Sequence, residues 1–332
     1  MDRRVFIGVL TGGLLAAPLA ADAQQKGRVR KLGIIMAAGK TPEYVAALAA
    51  FEQVLGSLGW KEGDNLRIDD RWSAGGQERA RSAAKEIAAL NPDVILGQSA
   101  AVVEALLATT RTIPIVFLHV ADPVASGFVS NLARPGGSIT GITNIEPSIS
   151  GKWLQLLKEM APALTRAALL VNPDTQPDRG AIFLNPFGAA ARSLGVTSVK
   201  GEVHDLQGIE AVMARLAAKP GGGVVVAPDA FFASHSTQIV ALAERFRLPA
   251  VYPYRYYVAQ GGLLCYGVNN VDLFRQAGPY VDRILRGARP GDLPVEQPSR
   301  FELVINLKTA KALDLTVPPP LLQRADQVID PP

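Results

Sequence analysis

Five residues in mid-chain have the types and setting for acyl chemistry. Gly97-Gln98-Ser99-Ala100-Ala101 follows a short apolar run and opens a helical pattern, much as the G-x-S-x-G turn lifts a nucleophilic serine off a strand. Alanine fills the last position, and no His-Gly-Gly stretch supplies an oxyanion hole. Of the three histidines, His119, His204 and His235, only His235 falls late enough in the chain to act as the base of a serine hydrolase. Two other roles fit the same residues. Ser99 caps the following helix, or Ser99 and the N–H groups beside it, at Gln98 and Ala100, hold a ligand oxygen.

Other chemistry-bearing residues recur at the ends of apolar runs. Asp122 follows His119-Val120-Ala121, and Asn144 follows Gly141-Ile142-Thr143. Asn172 opens Asn172-Pro173-Asp174-Thr175, and Asp229 stands in Ala227-Pro228-Asp229-Ala230-Phe231-Phe232. Each fits either a cap or a cleft-facing role; Asp122 or Asp229 would take a ligand ammonium. Val251–Tyr257 gathers four of the seven tyrosines. Tyr256 and Tyr257 read as a buried helix start. Tyr254 and Arg255, at a strand end, have the chemistry to stack on a ring and pair with a carboxylate. Phe231 or Phe232 would add apolar surface, and Tyr266-Gly267 marks a further change of direction.

Several chemistries are disfavoured. Gly33 and Gly39-Lys40-Thr41 come close to a phosphate loop, but five residues separate the glycines and Pro42 follows; the glycine needed where backbone wraps phosphate is missing. No G-x-G-x-x-G follows a strand, so no dinucleotide cofactor is expected. No His, Asp or Glu spacing suggests a metal, and the one cysteine, Cys265, rules out an intramolecular disulfide or a Cys-rich metal site.

These turns need a scaffold, and the pattern around them supplies one. From Arg30 onward, short Val- and Ile-rich runs alternate with segments of helical period. Strands are expected at 32–36, 66–72, 94–96, 113–120 and 139–143, and again at 167–171, 199–203, 223–227, 250–254 and 263–266. Helices fall between them, with a break near 144–150. Runs such as Val224-Val225-Val226 are apolar without alternation, as in strands buried on both faces. Two α/β lobes with doubly wound parallel sheets follow. A Pro-rich segment at 289–300 precedes a late strand at 301–305, so the chain returns to an earlier sheet and the lobes share a multi-crossing hinge. The first lobe is expected to hold 30–143 and 267–290, the second 144–266 and 295–330.

The chain has 332 residues, 48% of them hydrophobic and 19% charged, with a formal net charge of +4. That suits two ordinary cores, and no basic run points to nucleic acid. At the N-terminus Arg3-Arg4 precedes an apolar run to Ala20 and then Ala21-Asp22-Ala23. This reads as a signal peptide over residues 1–23, and Arg3-Arg4-Val5-Phe6-Ile7 fits a twin-arginine signal. The expected location is the periplasm.

The C-terminal third carries a more specific signal. Leu263-Leu264-Cys265-Tyr266-Gly267, Asp272–Ala277, Tyr280–Gly287, Asp292–Pro298, Phe301–Leu313 and Leu321–Ile329 form a series, joined by Asp122-Pro123-Val124 and Gly141-Ile142-Thr143. In these residues the chain resembles the substrate-binding proteins of ABC transporters, in the subgroup that includes tryptophan and tyrosine binders. The likeness spans essentially the whole mature chain. It implies the type I periplasmic-binding fold, with Rossmann-like lobes and three crossings, and no catalysis. It implies a monomer that closes on a small molecule and docks on a membrane permease; a sensor module that signals to a membrane receptor would share every feature. The turns at 97–100, Asp122, Asn144, Asn172 and Asp229 would line the cleft. The expected ligand is a small carboxylate, an amino acid or aromatic acid.

Overall fold

The computed structural model describes residues 28–329, apart from Gly75, Pro147 and Ser299. The expected signal peptide lies outside the described residues. Two sheets organise the rest. The first lobe has a five-stranded parallel sheet in the order β2-β1-β3-β4-β5. Its strands are β1 (Arg30–Met36), β2 (Leu66–Trp72), β3 (Val94–Gln98), β4 (Ile115–Leu118) and β5 (Ile139–Ile142). Helices α1 (Pro42–Ser57), α2 (Gln77–Ala89) and α3 (Ala100–Thr109) connect them.

The chain then crosses to α4 (Ile149–Met160), β6 (Arg166–Leu170), α5 (Ala181–Ser193), β7 (Thr197–Val199) and α6 (Leu206–Ala217). β8 (Gly222–Val226), α7 (Ala230–Ser234), α8 (Ser236–Arg245), β9 (Ala250–Tyr252), α9 (Arg255–Ala259) and β10 (Leu264–Gly267) complete the second series. Helix α10 (Asn270–Leu285) returns to the first lobe and packs on α1. Finally β11 (Glu302–Asn306), α11 (Leu307–Ala312), α12 (Pro319–Gln323) and β12 (Gln327–Ile329) rejoin the second. That sheet has seven strands in the order β12-β11-β10-β9-β8-β6-β7, with β11 antiparallel to β10.

Side-chain alternation explains the layering. Leu32, Ile34 and Met36 of β1 join one core cluster, while Ile35 joins the cluster on the other face. In the second lobe Val224 and Val226 face one cluster and Val225 the other. A strand covered on both faces has no polar side, which is why these runs do not alternate in the sequence. The cluster holding Phe51 of the first lobe also holds Tyr252 and Tyr257 of the second, so the two lobes share apolar contact.

Two expectations are corrected. The segment 295–330 is expected in the second lobe, yet near its start Glu296 bridges Ile142 and the Glu296 amide donates to the Gly141 carbonyl. The segment thus extends the first sheet before crossing, because β5 is an edge with free backbone groups. The strand expected at 199–203 lies at Thr197–Val199. Beyond it Gly201 passes so close to β6 that an added Cβ would sit 2.2 Å from the Leu169 oxygen, and pairing resumes only as a bridge between Val171 and Glu202. At the crossing after β10, a Cβ on Gly267 would meet the Pro253 oxygen at 1.8 Å, so this hinge position accepts only glycine.

Candidate functional site

Ligands in open parallel sheets bind beyond the carboxyl ends of the strands. Here the ends of both sheets face one interlobe cleft of about 770 Å³, solvent at its mouth included. Ala37, Ser73, Gln98, Ser99, Ala100, His119 and Asp122 line it from the first lobe. Asn144 lies at the first crossing, and Thr175, Gln176, Phe183, Asp229 and Tyr254 line the second-lobe side.

Ser99 caps α3, with its Oγ 3.5 Å from the Val102 amide. Its own amide donates to the Leu118 carbonyl at 2.9 Å, so it is not open to a ligand. The first helical amides, Ala100 and Ala101, have no intrahelical acceptor, and both residues line the cleft. Ser99 holds this place with φ +90°, a conformation costly for a residue with a side chain and typical of functional turns. The Gln98 side chain faces inward: its Oε1 accepts from the Ala37 and Ala38 amides at 2.9 and 3.2 Å. The turn that nearly matches a phosphate loop thus spends two of its amides on a side chain. Asp122 lines the cleft while one carboxylate oxygen accepts from the Val124 and Ala125 amides.

On the opposite wall Asp229 caps α7. Its Oδ1 accepts from the Phe231 amide at 2.7 Å and the Phe232 amide at 3.4 Å. Its Oδ2 accepts from Thr175 Oγ1 at 2.5 Å and Gln176 Nε2 at 3.2 Å. Burial raises its pKa above the usual aspartate value despite these four donors, because neutral donors replace water only in part. Asn144, 2% exposed, donates through Nδ2 to the Tyr254 hydroxyl at 2.9 Å. Its Oδ1 is buried and accepts no hydrogen bond among the described residues, which leaves a buried acceptor at the cleft. Burial also raises the Tyr254 pKa, so its hydroxyl is neutral.

Five candidates lie elsewhere. Asn172 is buried, and its Oδ1 accepts from the Asp174 amide; it shapes the turn that carries Thr175 and Gln176 to the cleft but does not line it. Phe231 packs against His235 with ring centroids 4.4 Å apart and the planes tilted by 43°, and Phe232 is fully buried in the core. Arg255 points to the far side of the hinge, where it meets Glu302 at 3.5 Å and Gln327. Tyr266 stacks on Phe301, and its carbonyl accepts from Trp153 Nε1 at 2.6 Å. The hydrolase reading fails on the same geometry. His235 Nδ1 donates to the Phe231 carbonyl in the preceding helical turn at 2.8 Å, and the only partner of Ser99 Oγ among the described residues is the Val102 amide.

Sequence reasoning passed over Tyr44, His119, Thr175, Gln176 and Phe183, all of which line the cleft. Thr175 ends the Asn172–Thr175 turn, Gln176 directly follows it, and His119 precedes Asp122, so neighbourhood is the available signal. Tyr44 sits inside α1, where an aromatic reads as core.

Comparison with known proteins agrees with this architecture. The family model described as ABC transporter substrate binding protein matches residues 36–329. A tyrosine-binding protein of Clostridioides difficile (strain R20291) is 27% identical over 274 residues, 82% of this chain and 78% of that protein. The structure of an ABC domain in complex with L-Trp from Streptococcus pneumonia is 25% identical, with a TM-score of 0.82 over 90% of this chain and 99% of that one. A ligand-free, open structure of a substrate-binding protein from Clostridium difficile, also 25% identical, gives 0.66 over 91% of this chain and 100% of that one. With two parallel-sheet lobes around one cleft and a family match over nearly all described residues, the chain belongs to the ABC transporter substrate-binding proteins, a family of binding proteins rather than enzymes.

Proposed function

We propose that this protein captures a zwitterionic aromatic amino acid between its lobes and delivers it to the membrane permease of an ABC importer. The charge layout of the cleft carries the reading. Two aspartates, Asp122 and Asp229, line it, and among the described residues no lysine or arginine does. A ligand that is only an anion would add a third negative charge with no cation to offset it. A zwitterion meets both poles. Its carboxylate faces the Ala100 and Ala101 amides and Ser99 Oγ at the positive end of α3, and its ammonium takes Asp229 or Asp122 together with Asn144 Oδ1.

Tyr44, Tyr254 and Phe183 supply aromatic walls, and the small residues Ala37, Ser73, Gly76 and Ala80 leave room for a ring. The tyrosine and L-Trp named for the similar proteins support an aromatic side chain. Capture proceeds by hinge closure. The Gly39 amide reaches Ser234 Oγ across the cleft at 3.3 Å. At equal identity, the likeness is greater to the ligand complex than to the open form; both facts support a closed arrangement here. Export by a signal peptide cleaved after Ala23 places the mature chain in the periplasm, where a mature N-terminus at Gln24 would be read by mass spectrometry.

Calorimetry on the mature chain tests the ligand class with L-tryptophan, L-tyrosine, tryptamine and indole-3-propionate. The amino acids should bind. The deaminated acid should bind about 10–150-fold more weakly, the equivalent of one charged hydrogen bond. Equal affinity for indole-3-propionate would refute the reading.

A further inference from the structure

One side chain on the first-lobe wall, His119, has both of its ring nitrogens engaged within the protein. His119 follows β4 with φ +56°, a backbone strain that its side-chain contacts must hold in place. Its Nδ1 lies 3.1 Å from Gln98 Nε2, and its Nε2 lies 3.0 Å from Asn270 Oδ1. Gln98 Oε1 is already committed to the Ala37 and Ala38 amides, so the other end of that amide group is the NH₂ and must donate. Nδ1 is therefore the acceptor and Nε2 carries the proton. Tyr44, Phe274 and Tyr254 enclose the ring, with centroids 6.0, 5.8 and 5.7 Å away. Tyr254 comes from the second lobe, and Asn270 opens the helix that forms the second crossing.

We infer that His119 is the positioning residue of the cleft: as a neutral Nε2–H tautomer it ties the turn after β1 to the hinge helix through Gln98 and Asn270. The chain of donors runs from the Ala37 and Ala38 amides to Gln98, from Gln98 to His119, and from His119 to Asn270. It sets the floor of the cleft and the start of the crossing as one unit, and it leaves His119 no atom with which to bind ligand. The polarity is fixed throughout. A second ring proton would face the Gln98 NH₂ donor-to-donor, and Gln98 cannot turn over without releasing two backbone amides.

The groups packed on the ring are Gln98 from β3, Tyr44 from α1, Asn270 and Phe274 from α10, and Tyr254 after β9, none of them a charged side chain. The charged groups of this region are Asp122, Asp229, and Glu43 beside Asn270, with Arg255 and Glu302 near Glu43. Burial pushes the His119 pKa down to about 4, in keeping with a ring that stays neutral in use.

The inference rests on this cleft being the ligand site, not on which ligand fills it. Long-range ¹⁵N NMR of the mature protein should show His119 as the Nε2–H tautomer from neutral pH down, with protonation only near pH 4. His119→Leu fills the space without the bonds. It should speed exchange of the Ala37 and Ala38 amides and weaken L-tryptophan about tenfold or more. His119→Gln can accept from Gln98 and donate to Asn270, and should restore both to within about threefold. An Nδ1–H tautomer, a ring charged at neutral pH, or His119→Gln as impaired as His119→Leu would overturn the inference. If the wild-type protein binds no L-tryptophan, the ligand assignment falls, while the tautomer and the amide exchange still decide this one.

Discussion

Replacing Asp229 with asparagine separates the charge of the second-lobe wall from its shape. Oδ1 caps α7 through the Phe231 and Phe232 amides, and an asparagine oxygen serves equally well there. The other atom changes from acceptor to donor, so it faces Gln176 Nε2 without a bond and Thr175 Oγ1 must turn. Two charge-assisted hydrogen bonds are lost, but so is the cost of a desolvated carboxylate, which the raised pKa registers. The net loss of stability should be about 1 kcal/mol, a fall in Tm of roughly 2–4 °C for domains of this size. The ligand ammonium loses its charged partner, worth about 1.5–3 kcal/mol, or roughly 10–150-fold in Kd. Calorimetry with L-tryptophan at neutral pH reads the second number and thermal unfolding the first. A Kd within threefold of wild type in a folded Asp229→Asn protein would refute this placement of the ammonium.

Three further outcomes are expected. Because Asp229 holds its proton to higher pH than an exposed aspartate, binding needs pH above that raised value and weakens as pH falls through it; Asp229→Asn should remove this component from a Kd-against-pH series. Ser99→Gly trades a weak cap, the 3.5 Å contact to Val102, for relief of strain at φ +90°. It should raise stability by about 1 kcal/mol in urea unfolding, since Ser-to-Gly cap changes cost only a few tenths. Arg255→Ala, far from the cleft and only partly buried against Glu302, should leave the L-tryptophan Kd within about twofold and cost at most about 1 kcal/mol of stability.

Element order and the location of the chemistry were readable from sequence because both rest on local physics. Unalternating apolar runs such as Val224-Val225-Val226 mark strands covered on both faces. A cap such as Ser99 before Ala100 marks a helix start. Once strands and helices alternate, the turns after the strands must share one side of each sheet. Ser99, Asp122, Asn144, Asp229 and Tyr254 all stand at such strand ends in the sequence.

Which way each side chain points was settled only in three dimensions. Tyr254 and Arg255 are chain neighbours, yet Tyr254 lines the cleft and Arg255 meets Glu302 behind the hinge. The backbone turn between β9 and α9 sends successive residues to opposite sides. Asn172 and Asp229 are alike as turn residues, but one folds its oxygen onto its own turn while the other gathers donors from two segments. Glu296 went to the first sheet because β5 offers an open edge that no local pattern reveals. His119 took its role from Gln98 and Asn270, 21 and 151 positions away. Composition and spacing determined that this chain is two doubly wound lobes around a binding cleft. The donor and acceptor at each point of that cleft depend on long-range partners that only the tertiary fold brings within hydrogen-bond reach.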